Sequence, residues 1–169
     1  AAAAASLLGA SPAQIAAGLL HFGGAGRRFE TVGTVRGVTI IDDYAHHPTE
    51  IAATLEAAKS LPHRRVWAVF QPFTFSRTAR HLDAFADALS AADEAVVSDI
   101  MGSREVNTWN VSSSQITDRL PGSHYIPDFE GISRFVSEHV QEGDLVVTMG
   151  GGNIYQCARM IRDRLTQGA

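Results

Sequence analysis

Four short apolar runs, "VTIIDDY", "RRVWAVFQ", "EAVVSDI" and "DLVVTMG", each lead into a stretch with helical spacing. This alternation is the strongest constraint on the fold. Runs that are apolar throughout, with no polar face, suit strands covered on both sides. Strands that alternate with helices build a mostly parallel sheet with helices packed on each face. The expected fold class is therefore α/β: a three-layer α/β/α, Rossmann-like domain. Helices are expected over "TEIAATLEAAKS", "TARHLDAFADALSAA", "VSSSQITDRL", "FEGISRFVSEHV" and "NIYQCARMIRDRL", and a short strand over "SHYIPD". Leu82, Phe85, Ala86 and Leu89 fall on one helical face. Two β-branched runs flank Arg36-Gly37, which predicts a hairpin leading into the first buried strand. On the last helix Cys157 and Met160 accompany Ile154 and Ile161 and read as core.

The beginning of the chain reads differently. "AAAAASLLGASPAQIAAGLLHF" is alanine-rich, and Ser11-Pro12 supplies an N-cap followed by proline at the first helical position. Ile15, Leu19 and Leu20 form an apolar face on the helix that follows. "GGAGRRFE" reads as a linker. Residues 1–24 are accordingly expected to be a helical tail of a preceding domain, and residues 25–169 one complete α/β domain. The chain opens inside a helix without a methionine, so a piece of a longer protein is expected. With 45% hydrophobic and 19% charged residues, 169 residues can bury a real core. A net charge of −4 does not suit nucleic acid, and no apolar run approaches the ~20 residues needed to cross a bilayer. The single cysteine permits no internal disulfide, which fits a reducing compartment.

Three strand-to-helix junctions concentrate polar residues. In "DDYAHHPTE", Pro48 at position N1 makes His47 the N-cap and puts Glu50 at N3. The free N–H groups of that turn, with His46 and His47 beside them, suit a phosphate or carboxylate, and Asp43 could accept from a ribose or an amine. The competing readings are capping alone and a metal site of Asp43, His46 and His47. In "FQPFTFSRTARHL", Arg77 falls in the first helical turn, where a cation opposes the helix dipole and can grip a carboxylate or phosphate. The alternative is a solvated arginine, with Phe73 and Phe75 as packing residues. In "VVTMGGGNIY", Gly150, Gly151 and Gly152 can bring backbone N–H groups close to a ligand, or simply make a tight turn. Arg27 and Arg28 follow the linker and could reach a ligand held by a neighbouring domain, or be solvated. "MGSREVNTWN" is given no role. Three of these candidate sites end parallel strands at one edge of the sheet, so they can line one crevice.

Taken in order, "RRFE", "IDDYAHHPTEIAAT", "VFQPFTFSRT" and "TMGGGNIY" resemble the C-terminal domain of the Mur ligase family, and within it most closely the alanine-adding branch. The resemblance covers nearly the whole chain. It implies an ATP-dependent ligase that joins L-alanine to UDP-N-acetylmuramate through an acyl phosphate, in peptidoglycan synthesis in the cytoplasm. It implies that Arg28 and Asp43 serve ATP. Tyr44, His46, His47, Arg77, Gly150, Gly151, Gly152 and Asn153 would face the substrates. ATP and Mg²⁺ would be held mainly by a central domain, and no metal ligand or protein nucleophile is expected here. UDP-N-acetylmuramate, L-alanine and ATP would be the partners of the full-length enzyme, with no nucleic acid and no membrane. The chain has no G-x-x-x-x-G-K-[ST] loop, so by itself it is expected to be inactive. Phe73, Thr74 and Asn153 depart from residues common in the family. Two alternatives are a family member that attaches a whole tripeptide during recycling, and a non-catalytic module that binds a nucleotide or amino acid.

Overall fold

In the computed structural model, which describes residues 1–21 and 25–168, strands and helices alternate as expected. The order is α1 (Ala2–Leu7), α2 (Pro12–Leu20), β1 (Glu30–Val35), β2 (Val38–Asp43), α3 (Pro48–Lys59), β3 (Val66–Phe70), α4 (Phe75–Arg80) and α5 (Leu82–Leu89). There follow β4 (Glu94–Val97), α6 (Ser114–Thr117), β5 (His124–Tyr125), α7 (Phe129–His139), β6 (Leu145–Met149) and α8 (Tyr155–Gln167). Six strands make one sheet in the order β1-β2-β6-β3-β4-β5. β1 is antiparallel to β2 across the expected hairpin, and every other pairing is parallel. Arg36 and Gly37 both have positive φ, 54° and 75°, as a two-residue hairpin turn of the I′ type requires.

The three layers follow from the two-residue period of the strands. Ala68 and Phe70 of β3, with Val147 and Met149 of β6, face α3 and α5, where Ile51, Leu55, Phe85 and Leu89 are fully buried. Trp67 and Val69, with Val146, face the opposite way onto Ile132 and Val136 of α7 and Cys157 and Ile161 of α8. Each large side chain buried this completely contributes about 1.5–3 kcal/mol relative to an exposed one. The indole N–H of Trp67 donates to Asp144, which is 1% exposed and also accepts the Gln141 N–H and pairs with Arg64 and Arg65. The donors gather on Asp144 Oδ2, while Oδ1 has only the Arg64 ion pair at 3.3 Å and no hydrogen bond among the described residues.

Three expectations need correction. The single helix expected over residues 78–92 is two helices, broken at His81, whose φ and ψ are −128° and 23°. Thr78 Oγ donates back to the Thr74 carbonyl, a bond that competes with helix continuation. The His81 ring then packs against His47 and Phe85. Second, Arg77 is the third residue of α4, in its first turn as expected, but α4 has only six residues, so the dipole it opposes is weak. Third, Met160 is only half-buried, whereas Cys157, Ile154 and Ile161 are core. The expected boundary at residues 24 and 25 falls partly outside the described residues. α1 and α2 form where expected, Ser11 capping the second in a reciprocal pair with Gln14, and neither carries a buried residue.

Candidate functional site

The sheet order places β6 between β2 and β3, so the loops leaving these three strands are neighbours at one edge. Two backbone bonds join their starting points. Gly150 N–H donates to the Asp43 carbonyl at 3.2 Å, and Gln71 N–H to the Met149 carbonyl at 2.9 Å. The glycines are required by this crowding. A Cβ on Gly150 would lie 2.8 Å from the Gln71 carbonyl oxygen. On Gly151 it would lie 3.2 Å from His46 and 3.3 Å from Phe73. On Gly152 it would overlap Met101 Sδ and come within 2.6 Å of Gln71 Oε1. Thus His46, Phe73, Gln71 and the glycine loop meet, as the sequence led one to expect of the three junctions. Gln71 Nε2 donates to Asn153 Oδ1 at 3.0 Å, while Gln71 Oε1 is buried with no hydrogen-bond partner among the described residues.

The "DDYAHHPTE" loop is held largely by itself. His47 is the N-cap of α3, its Nδ1 accepting the Thr49 N–H at 3.4 Å. Glu50 Oε2 accepts the N–H groups of His46 and His47 at 2.9 and 3.1 Å. Burial raises the proton affinity of Glu50, but those two N–H groups and the nearby His46 and Arg28 outweigh it and hold the carboxyl below its usual range. His46 Nδ1 lies 2.9 Å from the Tyr44 carbonyl. Asp43 accepts the N–H groups of Phe29 and Ala45, both at 2.7 Å. Asp43, His46 and His47 therefore turn to different partners. Among the described residues no three His, Cys, Asp or Glu converge on a point that could hold a metal ion.

The two arginines after the linker part company. Arg27 turns inward to Asp42 and the glycine loop, whereas Arg28 is exposed, its guanidinium 5.3 Å from the Tyr44 ring centre. Asp42 is 2% exposed, and burial pushes its carboxyl above the usual value against the pull of Arg27 and Thr148. Arg77 sits on α4, and its Nη1 is buried without a hydrogen-bond partner among the described residues. A buried guanidinium nitrogen without an acceptor is costly to leave unpaired.

Sequence reading missed the loop after β4. Met101 pairs with Phe73, its N–H donating to the Pro72 carbonyl and its own carbonyl accepting from Thr74, both at 2.9 Å. Its sulfur walls Gly152. Glu105 in the same loop binds Ser76 on α4. A polar loop leaving a parallel strand at the same sheet edge was the available signal.

A glycine turn, the histidine loop and Phe73 thus meet at one edge of a mostly parallel α/β sheet, with Arg28 exposed beside Tyr44. Residues 27–152 match the family described as Mur ligase, glutamate ligase domain, and the chain belongs to that family. It is similar to the UDP-N-acetylmuramate–L-alanine ligase of Agathobacter rectalis, with 53% identity over 88% of this chain and 33% of that protein. The crystal structure of UDP-N-acetylmuramate–alanine ligase from Thermotoga maritima matches with a TM-score of 0.76 and 25% identity, over 99% of this chain and 36% of that one. A murein peptide ligase from Psychrobacter arcticus matches with a TM-score of 0.74 and 28% identity, over 98% and 35%. The chain thus spans about a third of the length of the curated relatives it matches. Among the described residues, no helix is long and apolar enough to cross a membrane.

Proposed function

We propose that this chain is the amino-acid-presenting, ATP-closing domain of a cytoplasmic ligase that joins L-alanine to UDP-N-acetylmuramate in peptidoglycan synthesis. The observation that carries the reading is the run of alanine-adding ligases, 44% to 53% identical over 84% to 92% of the chain among the first four relatives. In this reaction the substrate carboxylate takes the terminal phosphoryl group of ATP and becomes an acyl phosphate, releasing ADP. The alanine amine then attacks the acyl carbon, the amide forms, the amine loses a proton, and phosphate leaves.

Such chemistry asks a protein for charge stabilisation and positioning more than for a nucleophile. Arg77 supplies the grip on the alanine carboxylate, its unpartnered Nη1 being the supporting feature. Arg28, exposed beside Tyr44, supplies a cation to the ATP phosphates. Asp43 shapes the nucleotide side by fixing the Phe29 and Ala45 backbone. Tyr44, His46 and His47 line the substrate side with Gly150, Gly151, Gly152 and Asn153. Mg²⁺ would be held by the ATP phosphates and the remainder of the enzyme. Closure of the domain keeps water from the acyl phosphate.

The test is phosphate release by the enzyme that contains this domain, with ATP, UDP-N-acetylmuramate and either L-alanine or a tripeptide. Turnover with alanine is expected. Turnover with the tripeptide alone would make it a recycling ligase, and turnover with neither would leave a binding module.

A further inference from the structure

Arg27 directs all three of its side-chain nitrogens to the protein. Its Nε–H donates to Asp42 Oδ2, its Nη1 to the Gly152 carbonyl and its Nη2 to the Gly150 carbonyl, each at 2.8 Å. The rings of Tyr44 and Tyr155 lie on it, both with centres 5.1 Å from the guanidinium carbon. Asp42 is in turn anchored to β6 by Thr148 Oγ at 2.7 Å. The backbone is equally fixed. The Arg27 N–H donates to Glu30 at 2.7 Å, and its carbonyl accepts the Tyr44 N–H at 2.8 Å. Arg27 and Phe29 have positive φ, 59° and 50°, which sends Arg27 inward while Arg28 between them points to solvent.

The consequence lies on the far side of the glycine loop. In a trans peptide the C=O of one residue and the N–H of the next point in opposite directions. With the Gly150 and Gly152 carbonyls drawn to Arg27, the N–H groups of Gly151 and Asn153 must face away from it. Neither has an acceptor among the described residues. We propose that Arg27 is a positioning residue: by holding two carbonyls it presents the Gly151 and Asn153 N–H groups to an anionic oxygen of the substrates. That they serve the amino-acid end rests on the ligase reading above; the clamp itself does not.

The first arm uses the chain as it is. Amide hydrogen exchange of Tyr44 and Gly150 would be followed in wild type, Arg27→Lys, Arg27→Met and Arg159→Ala, the last removing only an outer contact with Tyr155. Lysine keeps the charge but cannot span three acceptors as a planar fork does. Exchange about tenfold faster in both Arg27 variants, and unchanged in Arg159→Ala, is the expected result. Wild-type exchange in Arg27→Lys would overturn the clamp, because charge alone would then suffice. Should Arg27→Met fail to fold, Arg27→Gln with Asp42→Asn removes the buried charge with its partner, and the same exchange result is required of it. The second arm uses the enzyme that contains the domain. Arg27→Lys should raise the KM for the amino acid about tenfold and leave that for ATP within about twofold. An unchanged amino-acid KM would overturn the positioning role. If the wild type does not use alanine at all, the ligase reading fails, while the exchange arm still decides the clamp.

Discussion

Glu105 binds both donors of Ser76, accepting the backbone N–H at 2.8 Å and the hydroxyl at 2.6 Å. α4 has no capping side chain of its own, since Thr74 at the N-cap makes no such bond. Glu105 therefore fixes, from another loop, the helix that carries Arg77. The Ser76 hydroxyl and N–H, ahead of smaller effects, hold its carboxyl below the ordinary value of 4.5. A carboxyl with a lowered folded value contributes its interaction above the unfolded value and loses it as pH falls through the folded one. The Ser76 amide resonance should therefore titrate with a midpoint below 4.5, and that titration should vanish in Glu105→Gln. A Ser76 resonance that titrates alike in both proteins would disprove the cap.

Arg77→Ala should raise the KM for alanine by about 100-fold while the KM for ATP stays near wild type, since a charged grip on a carboxylate is among the strong hydrogen bonds. Arg77→Lys should recover little of it, because the point charge of lysine cannot form two parallel bonds. Steady-state kinetics with each substrate varied in turn reads both numbers. Equal loss in the two KM values would move Arg77 from the amino acid to general architecture.

The three glycines should rank by what an added methyl meets. At Gly150 the obstacle is backbone, the Gln71 carbonyl, which cannot swing aside. At Gly152 it is Met101 Sδ and Gln71 Oε1, the ends of flexible side chains. Gly150→Ala should destabilise by about 2–3 kcal/mol and Gly151→Ala by about 1 kcal/mol or less. Gly152→Ala should fall between, and shortening Met101 to alanine should restore part of the loss in the double variant. Melting temperatures of the five proteins test the order.

Cys157 is fully buried on α8, and burial pushes its thiol far above the ordinary range. Its labelling by a thiol reagent at pH 8 should follow global unfolding, with the same denaturant midpoint as circular dichroism. Rapid labelling of the folded chain would mean that α8 opens locally.

The sheet was legible in the sequence because its strands are apolar on both faces. Val66–Phe70 and Leu145–Met149 admit no other burial. The hairpin at Arg36-Gly37 and the caps at Ser11 and His47 were legible for local reasons of the same kind. The break at His81 was not, because it comes from a threonine hydroxyl and from a ring packing on His47, which is distant in sequence. The parts of Arg27 and Arg28 could not be divided by inspection, since "RR" is symmetric until positive φ values send the two side chains apart. Met101 and Glu105 were hidden because they act on Gly152 and Ser76, which only the parallel crossing from β3 to β4 brings near.

β6 has a neighbour on each side, β2 and β3, both made long before it. A chain growing from its amino end therefore carries two separate half-sheets, β1-β2 and β3-β4-β5, each with a bare edge, until residues 145–149 arrive and join them in one step. Bare edges of apolar strands are what chaperones shield and what aggregates grow from. The glycine loop emerges from the ribosome immediately after that joining strand. A nascent chain stalled before β6 therefore lacks both the strand that joins the two halves of the sheet and the glycine loop that follows it.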